Sequence, residues 1–368
     1  MFRIANLLPL CFILLLLPTS CRKDEADEIC QPTPAVVNAE EQPVSGTQWE
    51  VVVEDPNSFT RSLAVFNDQL IMSYSRPDVG TNTYTYSAHY DGVSVTTHPS
   101  FPLTTLTFRS FERFRVLNGS LFGMGAFYPN ANSNAGVGVL RYNPEDNTWT
   151  DFVSRPGMNT LVYDMAFLNG IPVIATNEAP FVLQQVGGQW VRMGSGFDAR
   201  IQALQMINGE LFAAGHFQRS GSTTVNHIAR WNGSDWEALD EGLNGAVYDL
   251  ALYEGKLVAG GTFNRAGTLI CHSVAVWNGS SWSALGDGIP DGAVFTLKTY
   301  ANELLVGGRF QTLGGINTSN VGRWNGTSWR GIAFGLNTKV EDLEVYQGKL
   351  YAAHGSARPV QDLYMLAP

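Results

Sequence analysis

The side chains that could do chemistry in this chain lie in its polar stretches: Arg76, Tyr128, Arg155, Arg200, Arg219, His227, Arg265, His272 and Arg309. Brought together, histidine, tyrosine and arginine make an acid–base site; left apart, they are polar contacts for a partner. Several also have a plainer reading. His227 and His272 fall in adjacent registers ahead of a strand, where the next unit carries Asn320 and Ser319, so polar residues exchange freely there. His216 and Arg309 share a register with Thr262. No HExxH, CxxC, GxSxG, phosphate-binding loop or EF-hand loop occurs. The motifs therefore supply no catalytic residue, no cofactor and no metal ligands.

What must position these residues is a repeat. The segment RWNGSDWEAL at 230–239 returns as VWNGSSWSAL at 276–285 and as RWNGTSWRGI at 323–332. Taking the second tryptophan as anchor, equivalent positions are Trp49, Val95, Trp149, Trp190, Trp236, Trp282 and Trp329, with Val95 a degenerate member. Seven units at roughly 46-residue intervals, each with four short strand signals, predict an all-β fold: a seven-bladed β-propeller of four-stranded blades. Within a unit, VYDLALY (247–253), KLVAGG (256–261), SVAVW (273–277) and SSWSAL (280–285) read as the strands. Asn-Gly between the last two reads as a type I′ hairpin turn. The six tryptophans of the fourth strand, with Trp231, Trp277 and Trp324 on the third, are expected to pack blade against blade.

The folded part begins with a lone fourth strand, TQWEVVV (47–53), and ends with three strands that lack a fourth. The N-terminal strand is thus expected to complete the last blade and close the ring, removing exposed edges. Turns between strands one and two and between three and four are short and share one face. Long loops such as 217–226, 263–272 and 310–319 gather on the other, where binding residues on a rigid scaffold usually lie.

Ahead of the fold, Arg3 and the apolar run IANLLPLCFILLLL (4–17) form a leader over residues 1–20. PTSC, ending at Cys21, resembles a bacterial lipoprotein signal and implies lipidation of Cys21, although Pro18 stands where Leu is usual. Residues 21–46 read as an acidic, proline-bearing tether. Its RKDEADE (22–28) resembles the surface-export signal of Bacteroidetes lipoproteins, which implies an outer-membrane, cell-surface address. The propeller occupies 47–368. Net charge is −10 with no basic run, which argues against nucleic acid. Only Cys30 and Cys271 lie beyond the lipid signal, so at most one disulfide could form and stability must come from burial.

RYNPEDNTW (141–149) resembles the tyrosine–tryptophan segment of kelch repeats, and the double glycines of VAGG and LVGG resemble theirs. The later units resemble propeller repeats of Bacteroidetes surface proteins. The resemblance implies a kelch-like, galactose-oxidase-type propeller without the oxidase's copper chemistry, since no tyrosine–cysteine constellation is readable around Cys271. Three functions are open. The first is a surface-anchored monomer binding a protein or glycan through its long-loop face. The second is a lyase or hydrolase acting on polysaccharide, and the third a purely structural envelope component.

Overall fold

A computed structural model describes residues 48–53, 60–77, 83–97, 108–128, 135–156, 161–179, 181–318, 320–332, 336, 338–354 and 363–367. The leader, Cys21, Cys30 and the tether lie outside the described residues. Among those residues seven four-stranded antiparallel sheets form the blades of a β-propeller, with no helix. The inner strands of blades 1 to 7 are Leu63–Phe66, Phe108–Leu117, Val162–Leu168, Ile201–Ile207, Val247–Tyr253, Ala293–Tyr300 and Val340–Tyr346. Blade 7 is completed by Gln48–Val53, which pairs with Leu363–Ala367, so the first described strand closes the ring on the last.

The tryptophan anchor marks one register in every blade. Trp149, Trp190, Trp236, Trp282, Trp329 and Trp49 lie opposite Tyr142, Gln185, Trp231, Trp277, Trp324 and Leu366. Val95 takes the same place opposite Tyr90. Four indoles reach back to the preceding blade. Trp149 Nε1 donates to Ser87 Oγ at 2.9 Å, Trp236 to the Met193 carbonyl at 3.3 Å, Trp282 to Leu239 at 3.1 Å and Trp329 to Leu285 at 2.6 Å. Buried apolar side chains form seven clusters, each drawn from two consecutive blades. The core is therefore a ring of interfaces, and no blade has a core of its own.

Turns between strands one and two have positive φ at both central residues in all seven blades, from Asn67-Asp68 through Asn169-Gly170 to Gln347-Gly348. That is the type I′ geometry whose twist matches the strands it joins. The WNG turns differ from expectation. Trp231 pairs with Trp236, leaving a four-residue loop in which only Gly233 has positive φ. Asn232 Oδ1 accepts the N–H groups of Ser234 and Asp235, both at 3.0 Å. Asn278, Asn325 and Asp91 do the same in their blades. The motif is thus written by an asparagine that caps its own loop, with glycine for the residue that follows.

Long loops of blades 4, 5 and 6 are also more ordered than a loop reading allows. Each carries a small hairpin: Arg219–Ser220 with Thr223–Thr224, Arg265–Ala266 with Leu269–Ile270, and Thr312–Leu313 with Ile316–Asn317. The double glycines permit close approach of backbone. A Cβ on Gly261 would lie 2.1 Å from the Ala246 carbonyl oxygen, and one on Gly308 2.0 Å from that of Ala293. Cys271 is buried and forms no disulfide among the described residues, and burial pushes its thiol up to about 11.

Candidate functional site

The inner strands surround a cavity of about 760 Å³ along the central channel. Each runs from the long-loop face toward the type I′ turns, so its first residues form the channel mouth on the long-loop face. A β-bulge sits there in six blades, at Glu112, Tyr163, Gln202, Tyr248, Phe295 and Glu341. Arg61 holds the matching place in blade 1. A bulge adds an unpaired residue and re-aims its side chain, so seven side chains line the mouth. Blades 3 to 6 contribute an arc of Tyr163, Gln202, Tyr248 and Phe295. Blades 7, 1 and 2 contribute Glu341, Arg61 and Glu112, an arc of charges.

The aromatic arc is held edge to edge. Tyr248 meets Phe295 at 5.3 Å between ring centroids and His216 at 5.7 Å, both T-shaped. Arg200 lies over the Tyr163 ring at 5.9 Å, a cation–π contact. Its Nη2 is 3.2 Å from His216 Nε2, and Gln202 Nε2 is 3.4 Å from the same nitrogen. A guanidinium can only donate, so Nε2 accepts and the imidazole proton sits on Nδ1. Burial, then Arg200 and His227, hold the His216 pKa below its ordinary value, so the ring is neutral at physiological pH. In the charged arc, Arg61 pairs with both oxygens of Glu112 at 2.9 and 2.8 Å, and Lys339 pairs with Glu341.

One residue deeper lies a belt of Ser62, Arg113, Asp164, Ala203, Asp249, Thr296 and Asp342. Its oxygens tie blades together. Asp164 accepts Leu204 N–H at 2.9 Å, Asp249 accepts Leu297 at 2.8 Å, Asp342 accepts Leu63 at 2.8 Å and Ser62 Oγ accepts Phe114 at 2.9 Å. Each bond runs from one blade's oxygen to the next blade's inner strand. Burial alone would raise the Asp164 carboxyl, but Arg115, Arg113 and the Leu204 N–H hold it below its ordinary value. Asp342 has no ion-pair partner among the described residues. Burial first, then Glu344 and Asp249, pushes it up to about 6 against the pull of the Leu63 N–H and Arg113. These carboxylates are structural, and their sequence trace is the recurring Tyr-Asp-Met, Tyr-Asp-Leu and Glu-Asp-Leu at 163–165, 248–250 and 341–343.

Of the nine residues singled out from sequence, six have described side chains, and among those six only Arg200 lines the channel. Arg219 and Arg265 are exposed on the small hairpins, where Arg219 donates to the Ser222 carbonyl at 2.6 Å. Arg309 is exposed at the end of a second strand. His227 is half-buried with φ of 70°, matching Ser273 and Asn320 at 61° and 64°. Its Nδ1 lies 3.3 Å from the Gly215 carbonyl, and burial holds its pKa down. The His272 carbonyl accepts Ile289 N–H at 2.8 Å, a backbone role. The backbones of Arg76, Tyr128 and Arg155 pair with Tyr84, Phe108 and Gly136, and their side chains lie outside the described residues. Sequence reasoning missed Tyr163, Gln202, Tyr248 and Phe295, because a bulge leaves no mark in composition or period, and it read His216 only as a freely varying position.

No protein family model matches this sequence, and no curated protein matches it. Solved structures do share the fold. The chain is similar to an extracellular domain assigned to a hybrid two-component system of B. thetaiotaomicron, with 9% identity and a TM-score of 0.56. The match covers 88% of this chain and 40% of that one, so the chain spans well under half that protein's length. It is also similar to the β-propeller domain of the Trilobed protease from Pyrococcus furiosus, with 10% identity, a TM-score of 0.55, and coverage of 84% of this chain and 95% of that. A third is the acylaminoacyl peptidase of Pyrococcus horikoshii, at 10% identity and a TM-score of 0.51, over 85% of this chain and 53% of that. At such identities the likeness is one of fold. The protease domain has an open velcro topology; here the ring is closed by Gln48–Val53.

Proposed function

We propose that this chain is a surface lipoprotein whose kelch-like propeller binds a glycan in the channel mouth of the long-loop face. One observation carries the reading: the bulge register of four consecutive blades aims Tyr163, Gln202, Tyr248 and Phe295 into a cavity large enough for several sugar rings. Aromatic faces beside a few fixed polar groups suit sugars, which present apolar ring faces and polar rims. A protein partner is less well served by a concave, half-polar mouth than by an exposed apolar patch. The extracellular B. thetaiotaomicron domains of like fold support the surface address, as do the leader and Cys21. The aromatic site is tested by affinity electrophoresis of the protein and of Tyr248→Ala in gels containing a panel of polysaccharides. Retardation by one of them, relieved in the variant, is expected; no retardation by any would sink the reading. Palmitate labelling that is lost in Cys21→Ala tests the anchor.

A second reading, a lyase or hydrolase, is favoured by His216. Its unprotonated Nε2 lies 3.2 Å from Arg200 Nη2 and its ring meets Tyr248 edge-on, which places a neutral imidazole, the commonest general base, beside the aromatic arc. Chromatography of the retained polysaccharide after incubation with the protein decides between the two: shortened products would establish catalysis.

A further inference from the structure

We infer that the ligand of the channel mouth is acidic, a saccharide bearing carboxylate or sulfate groups, and that Arg200 is the residue that holds its anion. The inference rests on the glycan reading above and deepens it. Among the described residues the cavity is lined by six cations, and five are matched by carboxylates. Arg61 is paired with Glu112 at 2.8 Å, Lys298 with Glu344 at 2.5 Å, and Lys339 with Glu341. Arg113 and Arg115 both hold Asp164, at 3.1 and 2.7 Å. Arg200 alone has no carboxylate partner among the described residues. The acidic residue closest to it in sequence, Asp198, is occupied by the N–H groups of Gln218 and Arg219 at 2.9 and 3.1 Å.

What Arg200 touches instead is uncharged: one Nη2 contact to His216 and the face of Tyr163. These contacts fix the guanidinium in the aromatic arc without neutralising it. Among the described residues four of its five N–H groups have no acceptor, in a planar fork that matches a carboxylate or sulfate. A neutral sugar seated on Tyr163 and Tyr248 would cover a charge and leave it unpaired, which is costly. An anionic sugar would supply the missing counter-charge. Gln202, on the same arc, adds an amide beside it.

The experiment is isothermal titration calorimetry of the purified protein with polygalacturonate, dextran sulfate and dextran. The proteins compared are wild type, Arg200→Ala, Arg200→Lys and Tyr248→Ala. Arg200 is exposed, so its variants are expected to melt as wild type does. Binding of polygalacturonate or dextran sulfate but not dextran is expected, weakened at least tenfold in Arg200→Ala and less in Arg200→Lys. Which polymer binds identifies carboxylate or sulfate as the anion. Dextran bound as tightly as the charged polymers, by wild type and Arg200→Ala alike but not by Tyr248→Ala, would overturn the acidic ligand and leave the glycan site standing. Failure of all three polymers would overturn both. So would charged-polymer binding that neither substitution changes, since it would lie elsewhere on the surface.

Discussion

Arg113, on the inner strand of blade 2, reaches Asp249 on blade 5 at 3.3 Å, three blades further around the ring. The same guanidinium holds Asp164 of blade 3 at 3.1 Å and the Tyr248 carbonyl at 3.4 Å. A single side chain thus crosses the channel and ties strands distant in sequence.

Removing that crossbar should be costly. Arg113→Met leaves Asp249 without its cation and Asp164 with Arg115 alone. Breaking a buried pair typically costs about 3–5 kcal/mol, and the side chain's 22% exposure places the expectation at about 3. Urea unfolding of the variant checks this. A loss under about 1 kcal/mol would mean the crossing contacts add nothing to stability.

Stability should depend on pH through Asp342. Its carboxyl rises from 3.8 to about 6 in the fold, so the native state prefers the neutral form. The contribution is complete below the unfolded value and is lost as pH rises through about 6. Two units correspond to at most about 3 kcal/mol. Asp164 runs the other way: its lowered pKa gives stability above 3.8 that is lost on further acidification. Between pH 4 and 6.5, wild type should therefore lose stability relative to Asp342→Asn. A wild-type-to-variant difference that stays flat across that window would acquit Asp342.

The inter-blade indole bonds predict a graded response at one site. Trp282→Phe keeps most of the ring but loses the 3.1 Å bond to the Leu239 carbonyl, and should cost about 1–2 kcal/mol. Trp282→Ala also empties the interface of blades 4 and 5 and should cost about 3–5 kcal/mol. Equal losses in thermal melts of the two variants would place the whole effect in the hydrogen bond.

Ring closure by Gln48–Val53 predicts the effect of truncation. Deleting residues 47–53 removes Trp49 from the interface of blades 6 and 7 and exposes the Leu363–Ala367 edge. A lower melting temperature and association in size-exclusion chromatography are expected. A truncated protein that melts unchanged and elutes as before would show that the strand does not close the ring.

The repeat was legible because tryptophan is rare and its register is rigid: even Val95 falls opposite Tyr90 where the tryptophans fall opposite their partners. The closing strand was legible for a similar reason, since Trp49 stands alone ahead of the first complete unit. The site was not. Strand alternation puts Tyr248 and Asp249 on opposite faces, and only the bulge between Val247 and Asp249 turns the tyrosine to the mouth. Arg200 stood out as a cation in a polar stretch, but its meaning depends on five other cations being matched, which only the folded ring reveals. Asn232 was read as a turn former for its backbone, whereas its side chain does the capping.

The bulge register has an evolutionary consequence. Arg61, Glu112, Tyr163, Gln202, Tyr248, Phe295 and Glu341 are seven equivalent seats, each one residue from the belt whose oxygens fasten the blades through backbone N–H groups. Such a layout separates what may drift from what must be kept. Descendants of one ancestral ring could rewrite these seven letters, one mutation at a time, and acquire new tastes without relearning how to fold.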